Sequence, residues 1–289
     1  MGLRYGVAAL ARPTFDVPFA EEMKERAFAA LAAAGIEAVG PRELLFDRVA
    51  AERAIAEIRA AAPIDLLLVL QVTFTDATMT VELARSGEFP LAIWAVPEPR
   101  AGGRLRLNAY CGLNLAAHAL GRVGADHGWL YASPDEPGLS ARLQALVTPA
   151  RHAAPAARAP EQPDSGAVAV ADRALAKLAG GTITVVGKHP DGFDTCEYDE
   201  SLLDRLAGMK VQTVQLGQLF DRARAVDAGR VAAVHAAAAA EVHGLDAVNQ
   251  EQLDRSFRVF CALQDVRRDS GASGLAVRCW PEMFTEYGC

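Results

Sequence analysis

Residues 65–72, Asp-Leu-Leu-Leu-Val-Leu-Gln-Val, constrain this chain more than any other stretch. A run that is apolar almost throughout, rather than alternating, belongs to a strand covered on both faces, and such strands occur in parallel sheets flanked by helices. The neighbouring segments agree. Tyr5 to Leu10, Ile36 to Gly40, Leu91 to Val96 and Gly128 to Tyr131 read as further short strands. Between them, Pro18 to Ala34 carries Phe19, Met23, Ala27, Phe28 and Leu31 at helical spacing, with Pro18 at its start and Gly35 at its end. Arg48 to Ala61 and about Gly112 to Gly121 are helical too, and Asp76 is placed to cap a helix reaching about Ser86. Strands alternating with helices at this rhythm imply right-handed βαβ units in a doubly wound sheet.

The alternation breaks at Pro149 to Gly166, rich in proline and alanine and without apolar period. It resumes with a helix from about Ala167 to Leu178, a strand Thr182 to Gly187, a helix Glu200 to Ala207 and a strand Lys210 to Gln215. Two long helices, about Asp227 to His243 and Asn249 to Ser270, lead to a terminal strand, Leu275 to Cys279. The expected fold class is α/β, with two flavodoxin- or Rossmann-like parallel-sheet lobes. Their expected bounds are 1–150 and 166–289, with 151–165 as linker or crossing.

Composition excludes several classes. A formal net charge of -7 without basic clusters argues against nucleic acid. The most apolar segment, Ile64 to Val72, is too short to span a bilayer, and the first residues show no basic region followed by a long apolar one. Five scattered cysteines without a Cys-x-x-Cys pair suit a reduced, cytoplasmic protein. The glycine pairs Gly121/Gly124 and Gly180/Gly181 do not open a helix after a strand, so no dinucleotide cofactor is expected.

Candidates for chemistry lie at strand ends. Pro281 stops the last strand and leaves Glu282 just beyond it, where ligands bind in open α/β sheets. On the residues alone, Glu282 and Glu286 read first as solvated loop carboxylates. The loop Glu98 to Asn114 follows a strand and offers Arg104, Arg106, Asn108 and Asn114 to hydroxyl groups, or is a solvated loop whose asparagines serve turns. His189, with Asp191 and Asp194, stands at another strand end, where a surface role is the alternative. His235 and His243, eight residues apart, could share a helix face. Cys279 reads as an inert thiol inside the apolar run, and Trp280 as a pocket wall on which a sugar face could stack.

Val277-Arg278-Cys279-Trp280-Pro281-Glu282 resembles the string opening the C-terminal catalytic region of the L-fucose/L-arabinose isomerase superfamily, in particular its smaller fucose-isomerase-like members. Gly208 to Val214, followed by Leu216 to Phe220, and Gly103 to Leu115 match in the family's order. The resemblance implies an aldose–ketose isomerase of carbohydrate metabolism acting on a monosaccharide. It implies a chain crossing between lobes more than once, and a homo-oligomer, trimer or hexamer. It makes Glu282 both catalytic carboxylate and metal ligand, with Mn²⁺ or another divalent cation as cofactor. Such an enzyme moves a proton between adjacent carbons through an enediol, and a hard cation wants oxygen ligands. The family pattern continues into a second acidic ligand and a distant histidine ligand, whereas this sequence stops at Cys289. The expectation is therefore a fragment or truncated form, weak in metal binding and in turnover. The alternative is a catalytically inactive sugar-binding or assembly protein of the same two-lobed fold.

Overall fold

The computed structural model describes residues 2–85, 87–148 and 165–289. The linker expected over 151–165 falls outside them, save Ser165. The chain divides into two compact units: Met1–Ala157 with Asp191–Cys196, and Arg158–Pro190 with Glu197–Cys289.

The first unit contains β1 (Leu3–Leu10), α1 (Val17–Ala33), β2 (Ile36–Val39), α2 (Arg48–Ala60), β3 (Leu66–Gln71), α3 (Thr78–Ala84), β4 (Leu91–Ala95), α4 (Ala109–Arg122), β5 (Gly128–Tyr131) and α5 (Leu139–Ala145). Its sheet is wholly parallel, in the order β2-β1-β3-β4-β5. Every residue of β3 and β4 is buried, as the unbroken apolar runs require. Burying an aliphatic side chain of this kind contributes roughly 1.5–3 kcal/mol, so these two strands and the helices over them carry the core. Local signals set the helix ends. The Asp16 carboxylate accepts from the Phe19 N–H at 3.1 Å at the start of α1, and Asp47 accepts from Ala50 at 2.8 Å at the start of α2.

The second unit contains α6 (Ser165–Leu178), β6 (Thr182–Val186), α7 (Glu200–Ala207), β7 (Lys210–Val214), α8 (Leu216–Arg224), α9 (Ala228–Glu241), α10 (Gln250–Ser270) and β8 (Gly274–Val277). Its three strands are parallel in the order β7-β6-β8. Val186, Leu219, Phe220, Ala223, Val259, Ala262 and Val266 build a core with Met283 and Tyr287. Both sheets thus have the α/β parallel architecture expected.

Differences from the sequence reading have local causes. α3 ends at Ala84, and Asp76 lies just outside it, accepting from the Thr78 N–H at 3.0 Å. α4 begins three residues early, because Asn108 takes a left-handed conformation (φ 53°) and turns the chain into the helix. The loop after β4 therefore ends before Asn114. α5 was not anticipated, since a single Leu139/Leu143 pair is too little period to register. α8 is not among the helices expected from the sequence, although Leu216, Leu219, Phe220 and Ala223 have helical spacing. α9 stops at Glu241, so His235 and His243 do not share a helix.

Candidate functional site

In the second unit the loops at the carboxyl ends of β6 and β8 meet. The Arg278 N–H donates to the Val186 carbonyl at 2.9 Å and extends the ladder one residue past β8. The chain passes through Trp280 and Pro281 into a five-residue wide helical turn, Met283–Tyr287. Met283 and Tyr287 are buried, and the Tyr287 ring stacks on Phe220 at 5.2 Å between centroids. This pins the segment carrying Glu282 to the core. Burial also raises the pKa of the Tyr287 phenol, keeping it neutral.

Both carboxylate oxygens of Glu282 accept from Arg278: Oε2 from Nε at 2.7 Å and Oε1 from Nη2. The remaining terminal nitrogen, Nη1, donates to the Lys188 carbonyl at 2.9 Å. The glutamate and arginine side chains are 18% and 22% exposed, so Glu282 is neither free in solvent nor fully withdrawn from it. Gly187, at φ 78°, brings β6 past this point; a Cβ there would stand 3.1 Å from Arg278 Cβ and 3.3 Å from Leu216 Cβ. His189 follows, half-buried, with Nδ1 3.1 Å from the Pro190 carbonyl. Trp280 is half-buried and Glu286 is exposed. Cys279 is exposed as well, because β8 ends at Val277; the inert buried thiol read from the sequence is corrected.

Asn108 and Asn114 belong to the first unit. Asn108 is half-buried and its N–H donates to Glu98 at 2.8 Å, while Asn114 is exposed on α4. Glu98 organises this loop, accepting also from the N–H groups of Arg106 at 2.6 Å and Leu107 at 2.9 Å. Arg106 in turn donates through Nε to Asp16 at 2.8 Å. The Asp16 carboxyl lies below its ordinary pKa, first through the Phe19 N–H it caps and then through Arg106.

In this five-stranded order the connections from β1 and β3 diverge, which creates a crevice at the carboxyl ends of the strands. Arg12 and Asp76 pair there at 2.8 Å, and Thr73 Oγ1 accepts from the Arg12 N–H at 2.8 Å. Burial pulls the Arg12 guanidinium below its usual pKa, with Asp76 opposing. Gln71, fully buried beneath them, donates to the Thr73 carbonyl at 2.6 Å and to Thr75 Oγ1 at 3.0 Å. Sequence reasoning passed over Arg12, Gln71, Asp76 as an ion-pair partner, and Glu98. The signal that singled out Glu282, a charged group just past a strand, was present for Arg12 and Glu98 too.

Among the described residues no group of three or more His, Cys, Asp and Glu side chains converges to hold a metal ion. Glu282 offers one carboxylate already closed by a guanidinium, whereas a hard divalent cation wants about six oxygen ligands. These residues do not by themselves fit Mn²⁺. No helix among the described residues is long and apolar enough to cross a membrane.

Residues 6–153 match the family model described as fucose/sulfoquinovose isomerase, N-terminal domain. The chain is 26% identical over 279 residues to a sulfoquinovose isomerase of Alkalicoccus urumqiensis, covering 96% of this chain and 57% of that protein. It is 24% identical over 278 residues to one of Clostridium sp. (strain MSTE9), covering 96% and 56%, and 24% identical over 279 residues to one of Priestia aryabhattai, covering 96% and 57%. The chain thus spans a little over half the length of these relatives. With a family match over half of its residues and a five-stranded parallel sheet among the described residues of that match, the chain belongs to the fucose/sulfoquinovose isomerase family.

Proposed function

We propose that this chain supplies the N-terminal and middle parts of an aldose–ketose isomerase acting on a monosaccharide. Glu282 is its proton-transferring carboxylate. The supporting observation is the half-buried Glu282 at the carboxyl end of β8, beside Trp280 and the His189 loop, in a chain of this family. Isomerisation removes a proton from the carbon next to the aldehyde and returns it to the neighbouring carbon, so one carboxylate reaching both carbons serves both halves. Trp280 offers a ring face to the sugar. His189 is a proposed hydroxyl-binding group of the second unit, and Asn108 and Asn114 are proposed, for the first unit by itself, as hydroxyl-binding groups. The relatives are named for sulfoquinovose, and a sugar of that kind is the first substrate to try. A divalent ion in this reaction would draw its other oxygen ligands from polypeptide beyond these residues. A homo-oligomer, trimer or hexamer, is the proposed assembly.

The test fuses this chain to the C-terminal region of the Alkalicoccus urumqiensis relative and measures ketose formation. Glu282→Gln is expected to lower turnover roughly 100- to 10,000-fold with sugar affinity nearly kept. Glu286→Gln, altering an exposed side chain, is expected to be mild. A dead Glu286→Gln beside an active Glu282→Gln moves the assignment to the other carboxylate. The second reading, an inactive sugar-binding or assembly protein, draws support from the guanidinium closing Glu282. It predicts sugar binding by calorimetry without turnover in the same fusion.

A further inference from the structure

We infer that Arg278 is a positioning residue that stands where a cation would stand, holding both oxygens of Glu282 so that a divalent ion reaches this carboxylate only by displacing the guanidinium. Three bonds fix it there: Nε and Nη2 to the two carboxylate oxygens, and Nη1 to the Lys188 carbonyl. Its own N–H is committed to Val186, and its Cβ packs so close to β6 that any side chain at position 187 would stand 3.1 Å from it. A planar fork that meets both oxygens of a carboxylate is the strongest geometry such a pair adopts, and partial burial screens it less than a surface pair. The carboxylate that the family resemblance makes a metal ligand is therefore neutralised from within the chain. Its direction is set by two strand ends rather than by an ion.

The inference rests on the reading of Glu282 above only for the purpose of that carboxylate, and its test needs no turnover. In the purified 289-residue chain, Arg278→Gln and Glu282→Gln are each expected to lower the thermal midpoint by roughly 3–6 °C. The double variant falls no further than the worse of the two, because one interaction is lost in all three. The second measurement follows the Trp280 indole N–H signal by NMR as Mn²⁺ is added, since a paramagnetic ion broadens nearby lines even at low occupancy. Arg278→Gln is expected to broaden this signal at about tenfold lower Mn²⁺ than the unaltered chain, by the competition argued here. Adding Glu282→Gln returns the requirement to the original concentration. Arg278→Lys, which keeps the charge and loses the fork, falls between. Additive losses of stability in the double variant overturn the inference. So does broadening that is equal in the unaltered chain and in Arg278→Gln, or that stays at the lower Mn²⁺ concentration when Glu282→Gln is added. Failure of the isomerase assay with these results intact would overturn the functional reading and leave Arg278 in place.

Discussion

The two units are written in the same alternation of strand and helix, yet they bury their strands differently. In the first, β3 and β4 are buried along their whole length, and Trp94, Tyr5 and Leu70 have no exposed surface. In the second, only Thr184 and Val186 of β6 are buried, β7 and β8 have no buried residue, and every residue of α6 is exposed. The sequence carries this contrast. Leu-Leu-Leu-Val-Leu-Gln is a strand apolar on both faces, whereas Lys-Val-Gln-Thr-Val sets three polar residues beside two valines and cannot be covered as fully. The lesson is that two segments with the same secondary-structure signal can differ widely in how much they stabilise.

The sharpest way to break this comparison is to hollow each core. Trp94→Ala removes the largest fully buried side chain and its hydrogen bond to the Ala132 carbonyl at 3.0 Å; the expected cost is about 3–5 kcal/mol in chemical denaturation. Phe220→Ala in the smaller core is expected to cost less, about 2–4 kcal/mol, and a larger loss there would reverse the ranking.

Next comes alkaline unfolding. Burial, aided by Asp65, pushes the Tyr5 phenol from its ordinary 10.0 up to about 12, and its hydroxyl donates to the Leu143 carbonyl at 2.6 Å. The folded state therefore prefers the neutral phenol. This contribution is whole below pH 10 and is lost as the pH rises toward 12. On the order of 2 kcal/mol of first-unit stability is expected to vanish over that window, and Tyr5→Phe to flatten it. Stability curves at pH 9, 10, 11 and 12 would show this.

Gly192→Ala is expected to cost about 1–2 kcal/mol. The position has φ 76°, and a Cβ there would meet Thr78 Oγ1 at 2.6 Å and Asp76 Oδ1 at 2.8 Å. A neutral result by thermal melt would show that the α3 turn yields easily. Smallest of all, Leu206→Gln should stay within about 0.5 kcal/mol, because that side chain is 67% exposed on α7; a larger loss would mean that α7 carries more of the second unit than its burial implies.

How much was legible follows from what each signal measures. Periodicity reports which positions face a core, so the strands and the long helices were readable, and α7 was read with its observed bounds. Helices set by a single turn of packing, as at Leu139 and Leu143, leave too short a pattern. The candidate site was legible in type and not in company. Glu282 could be placed past a strand by Pro281, but Arg278 looked like one charge in an apolar run. Nothing in linear spacing says that the guanidinium folds back four residues onto the carboxylate. Glu98 and the three N–H groups it gathers lie eight to ten residues apart, which only the turn at Asn108 brings together.

Asp191–Cys196 lies in sequence between β6 and α7 but counts with the first unit. The Gly192 carbonyl accepts from the Ala77 N–H at 3.1 Å, and the Phe193 ring lies 5.7 Å from that of Phe74, over the cluster of Ala77, Leu115 and Ala119. The two units are therefore not cassettes that one cut can separate. A gene split anywhere in 151–165 would deliver a first unit lacking its own six-residue patch, with Phe74 and Ala77 uncovered. Recombination that respects this fold must cut the chain in three places, into four pieces, two for each unit.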